Sequence, residues 1–203
     1  MNKIYFSAIR IIQELLVASG VLIVLVLPIL LAYAPHTLPS NFLSVSFSIS
    51  LVAVFFVMSI RPLADLLPQL RFVRPLVILR KGGGVLSASI IVAIMFSRVL
   101  VDPSGYFSGF FSPAHWTLTG GAILAPLGDL SALILLVTSN KFSKRVLGPY
   151  WKRIQKLAYV YFYAGALYEY IAFHNSFALF ASVVVTVLVG AAFIKNRAKR
   201  VSV

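Results

Sequence analysis

The sequence predicts an all-α integral membrane protein, a single domain of residues 1–203 built as a bundle of six transmembrane helices. The chain is 60% hydrophobic and 11% charged, with a mean hydropathy of +0.96, whereas a soluble domain is nearer half apolar and a quarter charged. Apolar stretches about as long as the ~20 residues of a membrane span recur along the chain. Basic residues collect between alternate stretches. These observations exclude a water-soluble globular protein.

The chain has no cysteine and a large excess of positive charge. The lack of cysteine excludes disulfides, thiol catalysis, zinc–thiolate sites and iron–sulfur clusters. Eighteen Lys and Arg residues against five Asp and Glu give a net charge of +13, a balance that favours nucleic acid or anionic lipid as a partner. In so apolar a chain we expect anionic lipid headgroups, and no nucleic acid.

The first two spans come from one long uncharged stretch, because no Asp, Glu, Lys or Arg occurs between Leu15 and Ile60. A segment rich in proline and turn-forming polar residues, 35–41, divides this stretch into a first span at 11–34 and a second at 42–60. The first span also resembles a signal peptide at its ends. Its apolar region is longer than the ~7–15 residues of a signal peptide, so we expect a retained helix.

The remaining four spans are predicted at 84–101, 117–138, 157–173 and 176–194. Each is close to the ~17–25 residues that cross the hydrocarbon layer. The last two are joined by only two residues, which predicts a tight helical hairpin. Before the third span, the three glycines at 82–84 suggest either an anion cradle or a flexible helix entrance. The spacing lacks the known phosphate-binding patterns and favours the flexible entrance.

The distribution of basic residues predicts the orientation of the bundle. Six spans place both termini on one side of the membrane. Because basic loops stay in the cytoplasm, we expect both termini to be cytoplasmic and the chain to lie in the cytoplasmic (inner) membrane. That side contains seventeen of the eighteen Lys and Arg residues: Lys3, Arg10, Arg61, Arg71, Arg74, Arg80, Lys81, Lys141, Lys144, Arg145, Lys152, Arg153, Lys156, Lys195, Arg197, Lys199 and Arg200.

Four ionisable residues fall inside the predicted spans, where charge is costly and indicates a function or a buried partner. Glu14 lies near the inner end of the first span, and Arg98 lies near the outer end of the third, four residues before Asp102. Glu169 lies one turn from the outer end of the fifth span, where it could pair with Arg98. Asp129 lies deepest, near the middle of the fourth span, and predicts either a helix–helix hydrogen bond or an ion- or proton-coupled site.

All three histidines lie outside the predicted spans and on the non-cytoplasmic side. His36, His115 and His174 are therefore candidates for a metal site, since imidazole is a common zinc and copper ligand. They come from three separate loops, and His115 beside Trp116 also fits an interfacial aromatic belt. The sequence leaves both interpretations open.

Residues 138–159 read TSNKFSKRVLGPYWKRIQKLAY. An apolar helix ending in Thr-Ser, a basic stretch, Leu-Gly, a Trp and then an aromatic helix follow one another in this segment. The pattern resembles the ferric-reductase-like transmembrane domain, and within it the haem-binding membrane subunit of the bacterial methionine-sulfoxide reductase system. The resemblance covers about residues 45–175 and implies a six-helix bundle.

In that family, b-type haems are bound by histidines on the third and fifth helices. The resemblance places the ligand positions at Ile94, Gln155 and Tyr168, none of which is histidine. Because no histidine lies within a span, we expect no bis-histidine haem b and no resident cofactor. Bulky side chains at Ile94 and Tyr168, with neighbours such as Met95, should fill the former haem site. The third and fifth helices would then pack directly together.

The resemblance and the missing ligands together predict a haem-less membrane module, an anchor or assembly subunit of a membrane complex. We expect a membrane protein as its partner and no catalytic residue. The alternative is an electron-transfer subunit of the reductase type with an atypically bound haem, flavin or quinone. A third class, an ion-coupled transporter using Asp129, would usually show inverted repeats, which this chain lacks.

Overall fold

The computed structural model describes residues 3–70 and 72–201. Within this part of the chain the regular elements are ten α-helices and three short 3-10 turns. The α-helices are α1 (Lys3–Tyr33), α2 (Phe42–Leu66), α3 (Val73–Leu76), α4 (Leu79–Val101), α5 (Pro103–Phe111), α6 (Leu124–Thr138), α7 (Lys141–Leu147), α8 (Tyr150–Ile154), α9 (Leu157–Phe173) and α10 (Ser176–Val201). Of the basic residues counted above, Arg71 and the side chains of Lys3, Lys199 and Arg200 lie outside the described residues.

Four helices in the described ranges are long and apolar enough to cross a membrane. They span Ile4–Tyr33, Phe42–Leu66, Val73–Val101 and Ser176–Ala198. The helices at the fourth and fifth predicted spans are shorter, since α6 has 15 residues and α9 has 17, or about 22 and 25 Å at 1.5 Å per residue. The fold is therefore that of a helical membrane protein.

Several helices extend beyond the predicted spans at the end of the bundle where the basic residues lie. α1 begins at Lys3 instead of residue 11, and α2 continues through Arg61 and Pro62 to Leu66. α10 likewise continues past residue 194 to Val201. The predicted limits marked where charge begins, but a charged residue leaves the apolar layer without ending the helix.

The glycines at 82–84 are helical, and the prediction of a flexible entrance is wrong. α4 begins at Leu79 and includes all three glycines, of which Gly82 and Gly83 are buried. The fourth predicted span also starts later than expected, because residues 113–116 and 119–121 form 3-10 turns before α6 begins at Leu124.

Four helices form a ring, and two further helices pack on the outside of this ring at different places. α2, α4, α6 and α9 form the ring, because α2 packs on α4, α4 on α6, α6 on α9 and α9 on α2. α1 packs along α4, and α10 packs against α2 and α9. The core lies within this ring and along α10, with Val92, Ala132, Phe162, Ala178, Ala181 and Val185 almost completely buried.

α4 packs against α1, α2 and α6. Its surface has small residues on two sides, toward α1 and toward α2. A Cβ atom added to Gly82 would lie 2.9 Å from Cβ of Leu16 on α1, and one added to Gly83 would lie 2.9 Å from Cγ2 of Val57 on α2. In return Gly20 of α1 receives Val85, since a Cβ there would lie 2.9 Å from Val85 Cγ1. Small residues of this kind let transmembrane helices approach closely.

The bundle has two chemically different ends. One end, called here the basic end, contains the start of α1, α4 and α9, the end of α2, α6 and α10, and the short helices α3, α7 and α8. The opposite end contains residues 34–41, α5 and the 3-10 turns before α6, together with the α9–α10 turn at His174. His174 takes up a left-handed conformation with φ 53°, which reverses the chain within two residues.

The close packing of α1 on α4 predicts opposite effects for two neighbouring glycines. Gly82→Ala should reduce the free energy of unfolding in detergent by about 1–3 kcal/mol, because the new methyl group meets the Leu16 side chain near its root. Gly84→Ala is the matched control: a Cβ there meets nothing within 4 Å, and alanine favours the helix by up to about 1 kcal/mol. Denaturant titration followed by circular dichroism measures both, and equal stability of the two variants would contradict the packing.

Candidate functional site

A cavity lies inside the four-helix ring, toward the end opposite the basic end. Each helix of the ring contributes to its wall: Phe47 from α2; Ile91, Ile94, Met95 and Arg98 from α4; Leu124, Ala125, Gly128 and Asp129 from α6; and Tyr161, Gly165 and Tyr168 from α9. The wall therefore combines apolar side chains with two ionisable groups and two phenol groups. An apolar enclosure with a few polar groups is the usual composition of a binding site.

Two glycines explain why the ring does not close at this level. Gly128 of α6 and Gly165 of α9 both line the cavity, and a Cβ atom added to either would meet nothing within 4 Å. Any larger residue at these positions would extend into the open space. The cavity is thus formed where α6 and α9, which are neighbours in the ring, each lack a side chain.

The cavity has a volume of about 50 Å³. A water molecule needs about 10–15 Å³ of such space and two or more polar partners, so the cavity has room for a few water molecules. Sites for ligands of drug size have roughly 300–1,000 Å³, and a porphyrin needs a space in that range. Asp129, Arg98 and the phenol groups supply the polar partners that water requires.

Arg98 and Asp129 bring opposite charges to the same cavity. Arg98 is three residues from the end of α4, and Asp129 lies in the second turn of α6. The predicted span started at residue 117, but α6 starts at Leu124, so Asp129 is the sixth residue of this 15-residue helix. Both residues therefore lie toward the same end of the bundle, where the arginine can compensate the charge of the acid across the cavity.

A buried hydroxyl cluster on α2, α4 and α9, formed by Ser50, Ser87 and Tyr161, adjoins the cavity. Ser50 Oγ lies 3.2 Å from the carbonyl oxygen of Ser87, and Ser87 Oγ lies 2.9 Å from that of Ser50. Each serine thus donates its single proton to the other's backbone. The Tyr161 hydroxyl, 2.9 Å from Ser50 Oγ and 2.7 Å from Ser87 Oγ, donates to one of these oxygens. All three donors are satisfied without water.

The three positions that the resemblance assigns to haem ligands fall in two separate places in the structure. Ile94 and Tyr168 face each other across the cavity, on α4 and α9. Gln155 lies elsewhere, at the end of α8, where its Nε2 donates to Thr138 Oγ1 at 3.3 Å. Of the two ligand positions expected on the fifth helix, only Tyr168 lies on α9, because Gln155 precedes the start of that helix at Leu157.

The expectation that α4 and α9 pack directly together is wrong. The two helices are diagonal in the ring, each packing on α2 and α6, and the cavity separates them at the level of Ile94 and Tyr168. A hydrogen bond between Ser87 and Tyr161 links them. Bulky residues at the ligand positions reduce the space without filling it, since Gly128 and Gly165 leave it open.

Glu169 is buried beyond the cavity and is held by the α9–α10 turn. Asn175 Nδ2 donates to Glu169 Oε2 at 2.8 Å. The side chain is 3% exposed, and within the described residues Oε1 has no hydrogen-bond partner. The carboxyl group therefore fastens the turn that joins the last two helices, whereas Arg98 lines the cavity with Asp129.

Asp102, which the sequence places one helical turn after Arg98, caps the next helix. Its Oδ1 accepts hydrogen bonds from Gly105 N at 2.9 Å and Ser104 Oγ at 3.0 Å, as expected of an N-cap residue of α5. These two bonds, the backbone one first, lower the pKa of the Asp102 carboxyl group. The cap is therefore complete above the ordinary carboxyl pKa of about 3.9 and is lost as the pH falls through the lower folded value.

The other candidate residues do not form a site. His36, His115 and His174 are exposed in three separate turns. In the described residues, no three His, Asp or Glu side chains are grouped so that they could hold a metal ion. Glu14 is exposed on α1.

Sequence reasoning missed Ser50, Ser87 and the two cavity glycines. Ser50 is 37 residues from Ser87 and 111 residues from Tyr161 in the chain, so no local sequence pattern links the members of the cluster. The one available signal was the position of each serine within a long apolar stretch, where a hydroxyl needs an internal partner. A comparison with the known protein families found no match to this chain, and no solved structure matches it either.

The hydroxyl cluster predicts a selective effect of removing one oxygen atom. Tyr161→Phe should lower the free energy of unfolding in detergent by about 1 kcal/mol, because one buried hydrogen bond is lost while both serines keep their carbonyl partners. Tyr170→Phe is the control, since Tyr170 lies on the same helix and is 42% exposed. If the two variants unfold at the same denaturant concentration, the cluster contributes nothing to stability.

Proposed function

We propose that this protein is a haem-less, ferric-reductase-like membrane module that serves as an anchor or assembly subunit of a membrane complex. The bundle crosses the cytoplasmic membrane six times, with both termini in the cytoplasm. It has no catalytic residues of its own, and its partner is another membrane protein.

The observation that supports this proposal most directly is the size and lining of the cavity between Ile94 and Tyr168. The positions that would bind iron in the family carry an alkyl group and a phenol, and about 50 Å³ remains between the helices that bear them. Isoleucine has no atom that can bind iron, and the space suits water rather than a porphyrin. A bundle of this type can still provide an assembly surface without the cofactor.

The exposed apolar surface of α1 supports a role as an anchor. α1 packs mainly on α4, and its other sides expose large aliphatic residues, with Leu15, Leu22 and Leu25 each more than 60% exposed. Such a surface is covered by lipid in the membrane, and a helix held on one side only can also receive a partner helix on its free side.

Absorbance spectroscopy of natively purified protein tests the absence of haem. We expect no stoichiometric Soret band, and no change in the visible spectrum on reduction with dithionite, because neither Ile94 nor Tyr168 provides the histidine that b-type haem requires. Mass spectrometry of the same material should identify a tightly associated membrane protein. A stoichiometric Soret band that shifts on reduction would overturn the proposal.

One observation favours a second candidate, an electron-transfer subunit with an atypical cofactor. Met95 and Tyr168, which offer a thioether and a phenol, lie on the same cavity as the Arg98 and Asp129 pair. If the purified protein contains a flavin, quinone or singly ligated haem whose spectrum changes in Tyr168→Phe, this candidate replaces the first. An unchanged spectrum would remove its support.

The proposed orientation can be tested directly because the chain has no native cysteine. Single cysteines at His36→Cys and His115→Cys should react with a membrane-impermeant maleimide in intact cells, since both positions are exposed and lie opposite the basic end. Lys144→Cys and Arg197→Cys are exposed at the basic end and should react only after lysis. The reverse pattern would contradict cytoplasmic termini.

A further inference from the structure

We propose that a cleft at the basic end of the bundle binds the phosphate group of an anionic phospholipid. This inference goes beyond the proposed function, because it depends on membrane location and charge and not on the absence of haem. A haem signal in the purified protein would overturn the proposed function and leave lipid binding unaffected.

The cleft is a defined space between three helices. It has a volume of about 380 Å³ and is formed by the end of α2, by α3 and by the last turns of α10. Arg61 and Asp65 line it from α2, Arg74 from α3 and Asn196 from α10. Its volume falls within the roughly 300–1,000 Å³ of ligand sites, so it can hold a phosphate diester with its glycerol unit.

The polar groups that line the cleft suit a phosphate. Two guanidinium groups provide planar pairs of N–H donors that match phosphate oxygens, and the side-chain amide of Asn196 adds a further donor. Asp65 contributes the one carboxylate among these lining residues, so the two arginines leave the lining with a net positive charge.

Besides Asp65, the C-terminal end of α2 is a source of negative potential near the cleft, and Lys195 offsets it. The C-terminus of a helix carries partial negative charge on its last carbonyl groups, and α2 ends at Leu66 beside the cleft. Lys195 Nζ donates to the carbonyl oxygen of Leu66 at 2.7 Å. The helix end is thereby neutralised, which leaves Arg61 and Arg74 to interact with an anion.

The surroundings of the cleft favour a lipid over a soluble phosphate. Phe193 lies three residues before Asn196 and so shares its helix face, and it is 66% exposed. Phe72, two residues before Arg74, is 56% exposed. Exposed aromatic rings and the cleft arginines thus occur at the same end of the bundle, and an amphipathic surface of this kind contacts a headgroup and its acyl chains together.

Native mass spectrometry of the detergent-purified, delipidated full chain tests the site with phosphatidylglycerol as the probe. We expect one tightly bound phosphatidylglycerol per chain, and binding about ten-fold weaker in Arg74→Gln, because one charge-assisted phosphate contact is lost. Arg145→Gln is the matched control: Arg145 is also an exposed arginine on a short helix at the basic end, outside the cleft lining. It should bind the lipid like the native chain.

Two further arms complete the test. Phosphatidylcholine should not compete, whereas displacement of the lipid by millimolar inorganic phosphate would assign the cleft to a soluble phosphate and overturn the lipid proposal. Arg74→Lys, which keeps the charge and the fold but loses the fork of donors, should bind with intermediate affinity. Equal lipid binding by Arg74→Gln and Arg145→Gln, or equal binding of phosphatidylcholine, would overturn the site.

Discussion

The close contact of α4 with its neighbours is the constraint on which the rest of the bundle depends. Gly82 and Gly83 remove two side chains where α1 and α2 cross α4, so both helices approach α4 at van der Waals distance. In lipid, helices gain little from excluding water, and association depends on packing of this kind. α4 can then occupy one side of the ring and receive α1 on its outer side, which fixes where Ser87, Ile94 and Arg98 project.

The polar groups inside the ring follow from this arrangement. Once α4 lies against α2, Ser50 and Ser87 lie opposite each other, and each hydroxyl donates a hydrogen bond to the other residue's backbone carbonyl oxygen. Tyr161 then links α9 to both. Because a buried polar group in hydrocarbon must find an internal partner, these bonds fix the rotation of three helices about their axes. The same rotation places Tyr168 on the cavity, about two helical turns further along α9.

The sequence predicted several helix ends where turn chemistry sets them, but it missed the start of α6 at Leu124 and the helix ends where charge was used instead. The predicted limits at 42, 101, 138, 157, 173 and 176 coincide with helix ends in the structure, since proline, asparagine or a short polar turn adjoins most of them. At the basic end, α2 runs past Arg61 and α10 past Lys195, because charged residues are good helix formers. Gly82 was misjudged because its packing partner, Leu16, lies 66 residues earlier in the chain.

The site shows the same division between local and long-range information. The structure places Ile94 and Tyr168 on one cavity, while their assignment as haem-ligand positions, which depends on the resemblance, stays a prediction. The cavity itself was not predicted, since it depends on Gly128 of α6 and Gly165 of α9 lining the same space on neighbouring helices. That Asp129, and not Glu169, shares the cavity with Arg98 depends on where α6 begins, and the 3-10 turns before Leu124 shift that start by about two helical turns.

The small volume of the cavity and its charges are physically connected. An ionised Asp129 inside the bundle needs water or another polar partner, since an ionised group without one is too costly in a low-dielectric interior, whereas Arg98 is exposed near the end of α4. Larger residues at Gly128 and Gly165 would occupy the space through which water can reach Asp129. Complete closure of the ring would therefore be unfavourable, whereas a wide space would forfeit the dispersion contacts of its apolar wall. A water-sized cavity satisfies both requirements, and it accounts for a bundle in which the bulky Ile94 and Tyr168 line the centre while two glycines keep it open.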